Sequence, residues 1–125
     1  MKRLLVIVLA MVLLSGCVRQ ITREETRPTR QRSPREKAAL QLTQEGRQLL
    51  AEDQPDQAIR SLEQAISLNP DNGPCYYYLA EAWLKKGNFS EARQFNSLAE
   101  NYLKKDKGWS ARVARQADKI DSMEK

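Results

Sequence analysis

The chain has 125 residues, 41% of them hydrophobic, and a net charge of +5, which is room for one small domain at most. Residues 1–37 hold nine Lys or Arg against three Glu and residues 38–125 hold twelve against thirteen acidic groups, so the latter part is near neutral at −1 and carries no basic stripe for nucleic acid. With no His, no Cys-x-x-Cys pair and no Gly-rich phosphate loop, the sequence argues against metal sites, His-activated nucleophiles, bound cofactors and enzymatic activity of its own.

The first element is an address. Lys2 and Arg3 precede an uninterrupted apolar run from Leu4 to Leu14, followed by the small residues Ser15 and Gly16, the order of a secretory signal. As a helix such a run covers roughly 17 Å, too short for a hydrocarbon core of about 30 Å. Leu14-Ser15-Gly16-Cys17 resembles the lipobox of bacterial lipoproteins. That resemblance implies cleavage after residue 16 and a palmitate-bearing lipid anchor on Cys17. It also implies a place in the cell envelope. Val18, where inner-membrane retention favours Asp, points to the outer membrane facing the periplasm. An ordinary signal peptide with an incidental Cys is the alternative.

Residues 17–37 read as a basic, disordered tether. Val18 to Lys37 carries seven Arg or Lys, three Glu, two Pro and almost no apolar side chain to offset the entropy of ordering. The arm is either a solvated spacer or a weak ligand for anionic headgroups and cell-wall carboxylates.

From residue 38 the apolar periodicity predicts helices over about 36–52, 55–68, 74–86, 89–105 and 109–123. Asn69-Pro70-Asp71-Asn72-Gly73-Pro74 breaks the chain, Gly87 is a C-terminal cap, and Asn88 with Glu91 has the spacing of a capping box. Shifted by 34 residues, the chain aligns Leu42 with Tyr76, Gly46 with Ala80, Leu49 with Trp83, Ala58 with Ala92 and Ala65 with Ala99. A second shift brings Ser110, Val113, Ala114 and Ala117 under the same positions. At this spacing the sequence resembles the tetratricopeptide repeat over about 38–120. Three departures stand out: Glu45 and Asn96 where large apolar residues are expected, and Lys104 where Pro is.

The resemblance implies an all-α stack of antiparallel helix pairs in a domain spanning 38–125. Its repeats run over about 39–72 and 73–106, with a capping helix at about 109–123. A generic five-helix bundle is the alternative. It further implies a concave face built by the first helix of each pair. Thr43, Arg47, Tyr77 and Glu81 belong on that face, joined by Leu50, Leu84 and Lys85, with Arg115 closing the end. Tyr76, Trp83 and Trp109 are expected in the core, and Cys75 as a small helix residue or an intermolecular thiol. Such a face suits a peptide or helix of a protein partner. The implied role is an interaction scaffold assisting an envelope complex such as a pilus, a secretion system or outer-membrane machinery. An accessory subunit of a periplasmic enzyme or cell-wall complex is the second reading. Because the first helix has no preceding repeat, apolar surface on Leu40, Leu42 and Leu49 is expected to favour self-association or docking at that end.

Overall fold

A computed structural model describes residues 30–125, within which Arg32–Lys125 form one unit of five helices and no strand. The helices are α1 (Pro34–Ala51), α2 (Pro55–Leu68), α3 (Gly73–Lys85), α4 (Phe89–Leu103) and α5 (Lys107–Glu124), each end within two residues of the interval predicted from the pattern.

The largest shift, two residues, has local causes. Residues 34–37, expected in the arm, are helical because Ser33 and Glu36 form a reciprocal capping box. The Ser33 hydroxyl accepts from the Glu36 N–H at 3.2 Å while the Glu36 carboxylate accepts from the Ser33 N–H at 2.7 Å. Pro34 then occupies the first turn, where its missing N–H costs nothing. At the other end Asp106 accepts from the Trp109 N–H at 3.0 Å, which starts α5 at Lys107 rather than 109.

The 34-residue repeat reappears in the hydrogen bonding. α1 ends with the Asp53 N–H donating to the Leu50 carbonyl and the Gln54 N–H to that of Leu49; 34 residues on, Gly87 donates to Leu84 and Asn88 to Trp83. Both turns are Schellman caps, and both put the second residue after the helix at positive φ, 57° at Asp53 and 74° at Gly87.

Short connections force neighbouring helices to pack against each other, α1 on α2 and α3 on α4, with α2 against α3 and α5 against α4 joining the pairs. Small residues permit the approach: Ala58, Ala65, Ala80, Ala92 and Ala99 are wholly buried. At Gly46 a Cβ would sit 2.5 Å from the Leu62 Cγ. Leu62, Leu79, Cys75 and Ile120 fill the space between. Two of the three departures from the repeat pattern find their reason here. Glu45 is exposed on the outer side of α1, whereas its counterpart Leu79 is fully buried between helices. Asn96 is buried, and its amide donates to the Val113 carbonyl at 2.9 Å and to the Gln116 side chain at 3.0 Å, so a polar pair holds the capping helix where Leu62 holds the first repeat.

Candidate functional site

α1, α3 and α5, the first helices of the two repeats and the cap, enclose a cleft of about 210 Å³ whose walls include Leu40 and Arg47 of α1, Pro74 and Tyr78 of α3, and Trp109 and Arg112 of α5. Its position depends on how α5 is seated. Val113, Gln116 and Ile120 face inward, and Gln116 donates to the Tyr77 carbonyl at 3.0 Å and to the Glu81 carboxylate at 3.1 Å. Lys119 approaches the same carboxylate at 3.3 Å. That registration turns Trp109 and Arg112 toward the cleft.

The aromatic wall is continuous. Trp109 meets Tyr77 and Tyr78 edge-on at ring distances of 5.5 and 6.1 Å, and the two tyrosines meet each other at 5.3 Å. The Arg112 guanidinium lies 4.7 Å from the Trp109 ring and 5.7 Å from that of Tyr77, within cation–π reach of both. Burial, and after it the Glu81 charge, raises the Tyr77 hydroxyl above its ordinary range, so it remains a neutral donor near neutral pH.

The structure distributes the expected contact residues unevenly. Arg47 is exposed and lines the cleft, and Tyr77 is half-buried beneath it as the support of Trp109. Thr43 lines the cleft but is only 4% exposed. Its hydroxyl donates to the Ala39 carbonyl and accepts from the Asn72 amide, so it ties α1 to the turn before α3. Glu81 is occupied by Gln116 and Lys119. Lys85 is exposed, 3.5 Å from Asp53.

Leu84 and Leu50 are corrections. Leu84 is 3% exposed and packs with Ala92 and Ile120, and Leu50 is buried in the main core, because these side chains in the last turn of each first helix face neighbouring helices rather than the cleft. At the cap, Arg112 rather than Arg115 lines the cleft, since α5 turns 113, 116 and 120 inward and leaves 109 and 112 on the groove side.

Tyr78 was hidden by the run Tyr76-Tyr77-Tyr78, which places three rings at about 100° intervals around one helix without saying which faces out. Tyr76 is buried as expected, its hydroxyl donating to the Pro70 carbonyl at 2.7 Å and its ring stacked on Tyr102. The thiol of Cys75 is fully buried, which rules it out as an intermolecular partner in the folded chain. Apolar exposure on α1 is also narrower than expected. Leu42 and Leu49 are half-buried against the core, and Leu40, 39% exposed, lines the cleft beside Pro74, Tyr78 and Trp109. Cys17, the signal segment 1–16 and the arm as far as residue 29 lie outside the described residues.

Among the described residues no helix is long and apolar enough to cross a membrane. A family model for the tetratricopeptide repeat matches residues 49–115, more than half of the chain. No curated protein matches it.

Proposed function

This chain belongs to the tetratricopeptide-repeat family, a family of protein-interaction modules, and from that premise we propose that it is a membrane-anchored scaffold of the bacterial cell envelope. It holds a protein partner in the cleft between α1, α3 and α5 and helps to assemble an envelope complex. The observation that carries this reading is the cleft itself: an aromatic and aliphatic wall with polar groups at its rim, which is the composition of an interface anchor. Tetratricopeptide repeats are as a rule non-catalytic, and the absence of His from the whole chain supports a binding role rather than an enzymatic one. Leu40, the exposed apolar residue of α1, lies at the mouth of the cleft, which favours partner docking there over a broad contact between copies.

Anchoring rests on Leu14-Ser15-Gly16-Cys17 behind the apolar run, and Val18 supports an outer-membrane destination. Palmitate incorporation tests it: wild type takes up label and Cys17→Ser does not, whereas equal labelling of both removes the anchor. Proximity labelling from the full chain in intact cells tests the scaffold. Envelope-assembly proteins are expected in the catch and are expected to be lost with Tyr78→Ala. A catch that ignores Tyr78→Ala and Leu40→Glu alike removes the cleft from the proposal.

A further inference from the structure

Resting on the anchoring reading above, we infer that the end of the domain where α1 begins lies against the headgroups of an anionic phospholipid bilayer. The helices alternate in direction, so the starts of α1, α3 and α5 and the turns at 69–72 and 104–106 share one end of Arg32–Lys125. The contacts agree: the Tyr102 ring, in the last turn of α4, stacks on Tyr76 in the first turn of α3 at 5.3 Å, and Leu40, Asn72 and Trp109 line one cleft. The turns at 52–54 and 86–88 and the end of α5 lie at the other end, where Lys85 meets Asp53 and Arg93 meets Asp121.

Charge is divided between these ends. In the turns and terminal helical turns of the first, Arg32, Arg35, Lys37, Lys104, Lys105 and Lys107 are all exposed and stand against four acidic groups. Two of those four, Glu36 and Asp106, are turned back onto the backbone as helix caps. The same segments of the other end hold three Lys against six Asp or Glu. Each basic group held at an anionic surface strengthens association up to about fivefold, so the difference between the ends sets an orientation as well as an affinity. The aromatic groups fit the same surface. Tyr102 is 45% exposed and Trp109 half-buried, and they flank Lys104, Lys105 and Lys107 in the chain; amphipathic rings of this kind settle at headgroup level.

The point where the chain enters selects the occupant. The segment that leads from Cys17 carries Arg19, Arg23 and Arg27 and joins the domain at Arg32, at the basic end. A lipid on Cys17 therefore brings this end to the bilayer first, while the acidic end lies about 27 Å away, the length of the 18-residue α1. The mouth of the cleft at Leu40 and Trp109 then opens on the membrane side.

Quenching by headgroup-labelled lipid tests this. The full-length chain, isolated from membranes, is reconstituted into phosphatidylglycerol vesicles doped with a headgroup nitroxide. It carries a thiol dye on Asn101→Cys at the basic end or on Gln57→Cys at the other, both exposed and uncharged positions. Quenching at 101 is expected to exceed that at 57 about threefold or more, and the difference is expected to vanish in phosphatidylcholine, in about 0.5 M salt and in Lys104→Gln/Lys105→Gln/Lys107→Gln. Melting curves matching wild type establish that these exposed substitutions leave the fold intact. Equal quenching at both positions, or a difference that survives salt and the triple variant, overturns the inference while the anchor stands. The parent chain is the control for the anchor: Cys75 is fully buried and takes no dye, so dye uptake there marks an unlipidated Cys17 and overturns both.

Discussion

At the residue scale, burial decides what Cys75 can do. Its thiol is wholly enclosed and donates to the Leu62 carbonyl at 3.2 Å, and burial pushes its pKa up from 9.0 to about 12. Because the thiolate is the nucleophile, an alkylating reagent at pH 8 is expected to modify Cys75 only after denaturant is added. Fast labelling of the native chain would contradict this. The raised pKa means that the native state keeps the neutral form, so this contribution is whole below pH 9 and declines as pH rises from 9 toward 12, at up to about 1.4 kcal/mol per pH unit. The stability advantage of wild type over Cys75→Ala is therefore expected to shrink between pH 9 and 11, measured by urea denaturation. The two helix-ending turns provide a second comparison. No neighbouring atom lies within 4 Å of a Cβ built on Gly87, so Gly87→Ala tests the backbone alone and is expected to cost about 1 kcal/mol. Asp53 occupies the same left-handed place with a side chain, and its 3.5 Å contact with Lys85 is exposed. Asp53→Gly is expected to raise stability by about 0.5–1 kcal/mol, since a surface ion pair contributes little.

At the scale of the element, the contacts between helices divide into apolar and polar kinds with different signatures. α1 approaches α2 through Gly46, where an added methyl meets the branched end of Leu62. Gly46→Ala is expected to cost about 1–3 kcal/mol, because the fully buried Leu62 has no space to retreat into. α5 is held differently, through Asn96 and Gln116, both buried and bonded to each other and to backbone carbonyls. Gln116→Leu alone removes one of the Asn96 amide's two acceptors and is expected to cost about 1–3 kcal/mol, whereas Asn96→Leu/Gln116→Leu replaces both partners with apolar groups and is expected to recover most of it. A double-mutant cycle by urea denaturation measures this. Additive losses would mean that the amide pair does not couple α5 to α4.

At the scale of the whole molecule, two repeats are fewer than an open stack usually needs, and α5 completes the structure by covering Leu84 and Ala92 through Ile120. A chain ending at Asp106 is expected to lose most of its helical circular dichroism, since Tyr77, Leu84 and Asn96 would all be uncovered. A cooperative melt of the truncated chain would show that the two repeats suffice. The number of helices, their ends and their pairing were legible in the residues, because caps such as Asn88 and Gly87, the chain break at 69–74 and the 34-residue recurrence of small and large side chains are local signals. The Ser33–Glu36 and Asp106 caps are equally local, and they extend α1 and α5 beyond the apolar pattern. The membership of the cleft was legible only in part. A helix sets the angle of each side chain about its own axis, but which angle faces solvent depends on the neighbour that covers it. That is why Leu84 belongs to the core under Ile120, why Tyr78 rather than Tyr77 reaches the surface of the cleft, and why Glu81 is spent on Gln116 and Lys119. The repeat spacing determined the scaffold; the seating of α5, through contacts 17 to 39 residues apart in the chain, decided which side chains line the cleft.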